Sequence, residues 1–251
     1  MRPLLLLHGL MDAPCTWKLV RPRLSAKLDV LAPALPGHDG GPPLAEIGGV
    51  GGVVPYLERL LDDAGHATVD VAGNSLGGYL ALRLAERGRA RTVVAFAPGG
   101  GWAPGDAARE NVLALQRRIH RTLQRGGDLA GAVATPEGRR RVTRYLTVRH
   151  EHLPPELLLE QLVASSRCDL DPFVDEALAN GWPLDAERVT CPVRFVWGRA
   201  DALLAWPAAA ARYRALFPTA DWIELDDVGH APQLDVPLET AELIRGFARI
   251  Q

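Results

Sequence analysis

Cysteine is scarce in this chain. Three occur among its 251 residues, at positions 15, 168 and 191. No two of them have the Cys-x-x-Cys spacing of zinc ligands or redox motifs, and an odd number of distant thiols does not make a disulfide framework. We therefore expect Cys15, Cys168 and Cys191 to be reduced thiols of a cytoplasmic protein, with no metal site and no cofactor.

Long hydrophobic runs are also missing. No stretch approaches the roughly 18 apolar residues of a membrane-spanning helix. The apolar run from Leu4 to Leu7 ends at His8 after four residues, and no cleavage site follows it. We expect a buried first strand there rather than a secretory signal. The sequence predicts no membrane span.

Lysine is almost absent, since Lys18 and Lys27 are the only two among 28 basic residues. Acidic residues number 30, which leaves a formal net charge of −2. A chain without a basic excess has little to neutralise phosphates, so the composition argues against a nucleic-acid partner. The preference for arginine, together with abundant alanine, glycine and proline, is typical of a GC-rich bacterial genome.

What the chain does have is a regular alternation of short apolar runs and helical patterns. The helical patterns include residues 17–27 and 240–250. The apolar runs have the continuous hydrophobicity of strands that are buried on both faces of a sheet. They cover residues 4–7, 29–32, 68–72, 92–96, 193–198 and 222–225. This alternation predicts an α/β fold with a mostly parallel sheet of about six strands, flanked by helices.

The strand pattern stops between residues 102 and 188, where helical stretches follow one another. We interpret residues 102–188 as a helical cap inserted into a core formed by residues 1–101 and 189–251. Residues 100–150 contain ten arginines and four acidic residues. Such charges are typical of a solvated helix surface, and they would also favour an anionic substrate under the cap.

Serine is rare as well, with four in the chain, and one of them has a distinctive setting. Ser75 is the centre of a Gly-x-Ser-x-Gly pattern, with a β-branched run before it and a helical sequence after it. A serine on so tight a strand-to-helix turn points its hydroxyl away from the backbone, as a nucleophile requires. Side chains at Gly73 and Gly77 would collide with the neighbouring strand and helix.

Two further polar residues follow predicted strands later in the chain, Asp201 and His230. The carboxyl ends of parallel strands form the edge where open α/β sheets bind ligands, so we expect both side chains near Ser75. His230 would take the proton of the serine hydroxyl, and Asp201 would hold the imidazole in the required tautomer. Asp226 and Asp227 are the alternatives for the acid.

Backbone N–H groups beside Ser75 are candidates to receive the negative charge that develops during its attack. Gly9 permits a sharp turn after the first strand, and the helix after Ser75 directs its N-terminal N–H groups towards the serine. We therefore expect the N–H groups of Leu10 and Leu76 to form an oxyanion hole.

Taken together, these segments resemble the α/β-hydrolase superfamily over nearly the whole chain. The serine, aspartate and histidine occur in the chain order of that family's catalytic triad. The resemblance implies a serine hydrolase that cleaves a small or medium carboxylic ester through an acyl-serine intermediate. The matching segments are His8-Gly9-Leu10 with Trp17, Pro36-Gly37-His38, Gly73-Asn74-Ser75-Leu76-Gly77-Gly78, Trp197-Gly198-Arg199-Ala200-Asp201 and Gly229-His230.

The chain departs from the family pattern in two places. It starts at what is usually the third strand, so we expect the N-terminal hairpin to be missing, and Asp39 replaces a more usual glycine. The nucleophile position holds Ser75 rather than an aspartate. The chain therefore does not resemble the dehalogenase and epoxide-hydrolase branches, which attack through a carboxylate.

Two other functions are alternatives to ester hydrolysis, and one of them uses the same three residues. Members that resemble the menaquinone-pathway synthase use the triad for proton abstraction and elimination, and the missing hairpin and basic cap fit such a lyase. Plant hormone receptors use the pocket only to bind a small molecule. An intact triad makes the receptor the least favoured of the three.

The remaining histidines and the two tryptophans at the ends of the cap complete the candidate residues. We expect His38 on the surface of a loop. The cap histidines at positions 120, 150 and 152 are expected to be exposed. Trp102 and Trp182 either line the pocket or pack within the cap.

Overall fold

The centre of the molecule is a sheet of six strands in the order β2-β1-β3-β4-β5-β6. The computed structural model describes residues 1–248. All the strand pairings are parallel, as predicted. The strands are β1 (Arg2–Leu7), β2 (Leu28–Leu31), β3 (Val69–Asn74), β4 (Ala90–Phe96), β5 (Val193–Gly198) and β6 (Asp221–Leu225).

Burial on both faces explains the continuous apolar sequence of the central strands. Side chains alternate between the two faces of a strand. In β1, Leu5 and Leu7 belong to the buried cluster on one face, while Leu4 and Leu6 belong to the cluster on the other. The first face is covered by α2 (Val53–Asp63) and α3 (Leu76–Glu86), and the second by α1 (Arg21–Ser25) and α11 (Pro237–Phe247).

The chain between β4 and β5 is helical, and no strand occurs there among the described residues. This confirms the predicted inserted helical segment, while its boundaries at residues 102 and 188 remain a prediction. Outside the insertion, α9 (Ala211–Leu216) precedes β6, and α10 (Pro232–Asp235) follows it. The helices of the insertion are α4 (Ala108–Gln124), α5 (Leu129–Ala134), α6 (Pro136–Thr143), α7 (Pro155–Ser166) and α8 (Leu170–Asn180).

Two predicted helices differ from those observed. The pattern over residues 17–27 does not form one helix, because the structure has a 3-10 turn at Pro14–Trp17 followed by the short α1. Pro22 lacks an N–H group and cannot continue a helix from the preceding turn. At the other end, α11 ends at Phe247. The last two positions of the helix predicted over residues 240–250 lie outside the described residues.

The cap packs over the loops at the carboxyl ends of the strands. Leu157 and Leu158 of α7 share a buried cluster with Ala13, which follows β1, and with Leu234 of α10. The loops after β1 and β6 are thus covered by α7. A cavity lies between the cap and this edge of the sheet.

Candidate active site

Ser75 occupies a strained turn between β3 and α3. Its backbone has φ 55° and ψ −116°, which is unfavourable for a residue with a side chain. The turn is crowded, since a Cβ atom on Gly73 would lie 2.2 Å from the Gly77 oxygen. A Cβ on Gly77 would lie 2.1 Å from the Leu7 oxygen. The two glycines therefore allow α3 to approach both β3 and the end of β1 closely enough to hold the serine in this conformation.

Asp201 and His230 are in contact at the edge of the sheet. His230 Nδ1 lies 2.8 Å from Asp201 Oδ2, and both residues are buried. The other oxygen, Asp201 Oδ1, accepts hydrogen bonds from the N–H groups of Leu203 at 2.8 Å and Leu204 at 2.7 Å. These two bonds fix the plane of the carboxylate, which in turn orients the imidazole.

The two alternative acids point away from His230. The side chain of Asp226 is 86% exposed and faces Arg199. The side chain of Asp227 is 66% exposed and forms an ion pair with Arg149. The geometry therefore favours Asp201 as the partner of the imidazole.

Ser75 and His230 line the same cavity. No hydrogen bond joins the Ser75 hydroxyl to His230 in the part of the chain that the structure describes. Contacts between a nucleophile and its base are often loose without substrate and tighten in the complex. The arrangement suits transfer of the serine proton to His230 once a substrate occupies the cavity.

The two N–H groups predicted for the oxyanion hole flank the serine. Leu10, Ser75 and Leu76 line a small recess of about 20 Å³. Within residues 1–248, neither the Leu10 nor the Leu76 N–H group donates a hydrogen bond to the protein. Trp102 and Trp182, the two tryptophans considered for the pocket, also line this recess. Two unoccupied donors beside a nucleophile can stabilise a developing oxyanion.

A buried amide network, which sequence reasoning missed, holds the loop of His230. Asn74 Nδ2 donates to the His230 backbone oxygen at 2.9 Å. Gln233 Nε2 lies 3.1 Å from Asn74 Oδ1 and also 3.1 Å from Thr16 Oγ1. Asn74 lies within the serine motif, so its position could have indicated a role in the site. No feature of the sequence indicates such a role for Gln233.

Asp235 ties the same loop to the cap and was also missed. Its carboxylate accepts hydrogen bonds from the N–H groups of Gly229 at 2.6 Å and of Arg149 at 2.7 Å. Val148 N donates to the same carboxylate at 2.9 Å. Burial raises the pKa of Asp235, and these three bonds oppose that rise. The carboxylate of Asp235 therefore joins the cap segment at Val148 and Arg149 to the loop of His230 by hydrogen bonds.

The cavity that Ser75 and His230 line has a volume of about 120 Å³ and is largely apolar. Within the described residues its lining contains no arginine and no lysine, and its one carboxyl is that of Asp12. Apolar side chains come from both the cap and the core, which includes the loops after the strands. They are Leu10, Met11, Ile119, Leu123, Val142, Leu146, Leu158, Leu162, Leu203, Ala231 and Leu234.

The arginines of the cap lie on the side away from the cavity. On α4, Ile119 and Leu123 line the cavity, while Arg118 and Arg121 are exposed and Arg109 and Arg117 are half-buried. On α6, Val142 and Thr143 line it, while Arg140 and Arg141 are exposed and Arg139 is half-buried and donates to the Val133 oxygen. Six exposed arginines form no ion pair with any residue in the described range: Arg118, Arg121, Arg125, Arg140, Arg141 and Arg144.

The expected exposure of His38 is wrong. It is 3% exposed, its Nδ1 lies 3.1 Å from the Pro36 oxygen, and its ring packs against His8 and Phe173. Phe173 belongs to α8 of the cap, so the loop is covered by a distant part of the chain. Burial lowers the pKa of His38 to about 4 and lowers that of His8 well below its ordinary value.

The expected exposure of His120 is also wrong, because this residue is 4% exposed. Helix α4 packs against both α7 and α8, which gives it a wide buried face. His120 lies two turns from Leu113, which is buried against Leu170 and Val174 of α8. Of the other two cap histidines, His152 is exposed, as expected, whereas His150 is half-buried, so its expected exposure is wrong.

Residues 1–248 contain no group of three or more histidine, cysteine, aspartate or glutamate side chains arranged to hold a metal ion. None of the described helices has the length and apolar character needed to span a bilayer.

A model of the alpha/beta hydrolase family matches residues 4–243. The chain belongs to the α/β-hydrolase family. It is 34% identical over 267 aligned positions to a pimeloyl-[acyl-carrier protein] methyl ester esterase of Aromatoleum aromaticum, covering 98% of each chain. It is 30% identical over 211 positions to the epoxide hydrolase EphH of Mycobacterium tuberculosis, covering 76% of this chain and 91% of the relative. The expectation that the chain does not resemble epoxide hydrolases is therefore wrong for the sequence as a whole.

Solved structures of the α/β-hydrolase family agree with this assignment. A thermophilic esterase from Thermogutta terrifontis superposes with a TM-score of 0.73 at 20% identity, covering 99% of this chain and 90% of the other. At that identity the likeness establishes the fold alone. The predicted family and fold are confirmed, and the relatives support an ester-cleaving hydrolase.

Proposed function

We propose that this α/β hydrolase is a serine esterase that cleaves a carboxylic ester of small or medium size through an acyl-serine intermediate. The observation that carries the proposal is the contact of 2.8 Å between His230 Nδ1 and Asp201 Oδ2, at the edge of the cavity that Ser75 lines. A buried carboxylate on Nδ1 leaves Nε2 as the free nitrogen. That nitrogen is the one a serine hydroxyl can use as its base.

The reaction begins with attack of Ser75 Oγ on the carbonyl carbon of the ester. His230 takes the hydroxyl proton as the Oγ–carbon bond forms, and the carbonyl oxygen becomes negatively charged. The N–H groups of Leu10 and Leu76 bind that oxygen. When the carbon–alkoxy bond breaks, His230 returns the proton to the leaving alcohol, and the acyl group stays on Ser75.

Water then releases the acid. His230 takes a proton from the water as its oxygen attacks the acyl carbon, and the same oxyanion hole binds the second tetrahedral intermediate. When the bond to Ser75 Oγ breaks, His230 returns the proton to the serine. Asp201 stabilises the imidazolium in both halves without itself taking up the proton.

The apolar cavity favours a substrate with a hydrocarbon portion. Burial of the substrate's hydrocarbon portion stabilises the complex by about 0.8 kcal/mol per methylene group, and it removes water from around the ester. An anionic substrate would find no arginine or lysine among the described residues that line the cavity. The positive charge of the cap therefore acts on molecules that approach its outer surface and not on a substrate inside the cavity.

A second, more specific candidate is an acyl ester whose acyl group is carried by an acidic protein. Two observations favour it: the six exposed arginines of the cap without ion pairs in the described range, and the relative named as a pimeloyl-[acyl-carrier protein] methyl ester esterase. A basic outer surface would attract an acidic carrier while its acyl chain enters the apolar cavity.

Epoxide hydrolysis, the activity in the name of the other relative, fits Ser75 less well. Opening of an epoxide by the serine hydroxyl would leave an ether on the enzyme. An ether has no carbonyl carbon for water to attack, so the enzyme would not turn over. We therefore expect no hydrolysis of styrene oxide. The lyase and receptor alternatives are likewise not favoured, since the relatives reported above are hydrolases.

Active-site labelling tests the proposal. A fluorophosphonate should add to Ser75 at one equivalent, seen by intact-mass spectrometry, and a series of p-nitrophenyl esters should give one preferred chain length. Ser75→Ala should abolish labelling and lower turnover by about 10⁶-fold. Ser25→Ala, an exposed serine at the end of α1, is the matched control. Near-normal turnover by Ser75→Ala would overturn the assignment.

The carrier-bound candidate has a separate test. Dimethyl adipate should be compared with monomethyl adipate that is joined through its other carboxyl group, as a thioester, to an acidic carrier protein. We expect the doubly substituted Arg140→Glu/Arg141→Glu variant to lose at least about tenfold in kcat/KM on the carrier-bound ester alone. Arg23→Glu on α1 is the control, because Arg23 is exposed and lies outside the cap. Equal losses on both esters would contradict the candidate.

A further inference from the structure

Asp12 is the one carboxyl, in the described part of the chain, that lines the cavity of Ser75 and His230. It lies two residues after Leu10, in the loop that follows β1. Its neighbour Met11 has φ 59°, so the backbone bends sharply just before the carboxyl. The carboxyl therefore belongs to the same loop as one of the proposed oxyanion donors.

The carboxyl is held by partners from two parts of the fold. Asp12 Oδ1 accepts hydrogen bonds from Ala13 N at 2.8 Å and from Gln161 Nε2 at 3.2 Å. Gln161 belongs to α7 of the cap and lines the cavity as well. One turn further along α7, Ser165 donates to the Met11 oxygen and also lines the cavity. The polar patch is thus built jointly by the cap and the core.

The surroundings of this patch are poor in compensating charge. Neighbouring lining residues, such as Leu158 and Leu162, are apolar. The imidazole of His230 already has Asp201 as its acid. Burial raises the pKa of the Asp12 carboxyl to about 6, which still leaves it mainly ionised at pH 7.5. A carboxylate in such a place has capacity for a hydrogen-bond donor that a ligand brings.

Hydrogen bonds from the Thr16 hydroxyl and the Gly9 N–H group also lower the pKa of Asp12, against the effect of burial. Asparagine would accept the same bonds from Ala13 N and Gln161 Nε2 through its side-chain oxygen, without the cost of burying a charge. The carboxylate adds only negative charge and a second acceptor oxygen. Both are useful towards a donor inside the cavity.

We propose that Asp12 and Gln161 form a subsite for a hydrogen-bond-donating group of the substrate, a hydroxyl or a protonated amine on an otherwise apolar chain. The inference rests on the proposed esterase function and narrows its substrate class. It also predicts discrimination against esters that carry a second, ionised carboxyl group within the cavity, because two carboxylates would repel one another.

The experiment uses three matched series of methyl esters of straight-chain acids, from four to ten carbons, that end in a methyl, a hydroxyl or an ammonium group. Release of acid is followed by pH-stat titration at pH 7.5. We expect a donor-terminated ester to exceed its methyl-terminated counterpart in kcat/KM by about tenfold or more at one chain length. The hydroxyl and ammonium series show which donor the subsite takes.

Asp12→Asn should remove this preference, because kcat/KM should fall more on the donor-terminated ester than on its methyl-terminated counterpart. Gln161→Leu, which removes the second polar group, should reduce it too and serves if Asp12→Asn does not fold. The matched control is Asp171→Asn. Asp171 is an exposed residue of α8 that forms an ion pair with Arg117, and its variant should keep the preference. Thermal denaturation establishes that each variant is folded.

The outcomes separate this inference from the esterase proposal. A methyl-terminated ester that is best at every chain length, or a preference that persists in Asp12→Asn, would overturn the subsite. Failure of every ester, together with no fluorophosphonate labelling of Ser75, would overturn the esterase on which the subsite rests. Labelling of Ser75 in Asp12→Asn at the normal rate would place the effect in recognition and not in the nucleophile.

Discussion

Asn74 Nδ2 lies 2.9 Å from the backbone oxygen of His230, so the residue before the serine holds the loop of the histidine. The same amide group donates to the Phe96 oxygen at 3.2 Å, and Gln233 Nε2 lies 3.1 Å from Asn74 Oδ1. Asn74 and Gln233 are buried. The spacing between Ser75 and His230 is therefore set through a buried amide network.

Asn74→Ala should weaken catalysis through this network. The substitution removes the donor to the His230 oxygen, which allows the imidazole to shift relative to the serine. A displacement of about 1 Å can cost about 10²-fold, so we expect kcat to fall by about 10- to 100-fold with KM nearly unchanged. Steady-state kinetics on the preferred p-nitrophenyl ester measures both. Loss of binding alone, with normal kcat, would contradict a positioning role.

The matched control is Asn180→Ala. Asn180 ends α8, where its side chain donates to Glu176 at the surface. Its kcat and KM should stay at wild-type values. The free energy of unfolding should fall by about 1–3 kcal/mol in Asn74→Ala, because two buried backbone oxygens lose a donor. It should change little in the control.

Asp201→Asn tests the orientation of the imidazole. The new oxygen can keep the bonds from the Leu203 and Leu204 N–H groups, while the new amide N–H group faces His230 Nδ1. That favours the wrong tautomer, so kcat should fall by about 10⁴-fold. Because fluorophosphonate labelling needs the same base, its rate should fall in parallel. Asp226→Asn, at an exposed carboxyl, should leave both rates unchanged.

The sequence predicted those parts of the site that local rules govern. Ser75 and Asp201 each follow an apolar strand, and the carboxyl ends of parallel strands meet at one edge. The number of strands and their parallel pairing followed from the alternation of apolar runs and helical patterns, whereas their order in the sheet was not predicted. The family was predicted from the resemblance of the motif segments, including those that contain Ser75, Asp201 and His230.

The supporting contacts depend on packing between distant segments and could not be predicted. Asn74 and Gln233 are 159 residues apart in the chain, and only the folded structure brings their amides together. His38 has the glycine and proline neighbours of an exposed loop, yet Phe173 of the cap covers it. Asp12 was not singled out, because its contact with Gln161 joins the core to the cap.

Gly77→Ala should destabilise the protein strongly. The added Cβ would lie 2.1 Å from the Leu7 oxygen and 2.7 Å from the His8 oxygen, and backbone atoms cannot move aside cheaply. We expect a loss of at least about 3 kcal/mol in the free energy of unfolding, measured by urea denaturation. Gly246→Ala on α11 meets no atom within 4 Å and should stabilise by about 0.5–1 kcal/mol. Similar stabilities for the two variants would contradict this account of the turn.

The buried pair of His8 and His38 should make the protein sensitive to acid. The pKa of His38 is lowered from 6.5 to about 4, so the unfolded chain takes up its proton at a higher pH than the folded protein does. The resulting stability is complete above about pH 6.5 and is lost as the pH falls towards 4. By the usual factor per pKa unit, the loss is about 3 kcal/mol for His38. His8, whose pKa is also lowered, adds a loss of the same sign.

Removal of one imidazole should flatten this dependence. In His38→Asn the side-chain amide can still donate to the Pro36 oxygen, but the titrating group is gone. Urea unfolding between pH 4.5 and 7.5 should show a smaller acid loss than in wild type, and His66→Asn, at a partly exposed histidine, should follow the wild-type curve. Asp12 acts with the opposite sign, because its raised pKa favours the folded state at low pH, but it is common to all three proteins. Parallel curves for wild type and His38→Asn would mean that the buried imidazole is not what limits stability in acid.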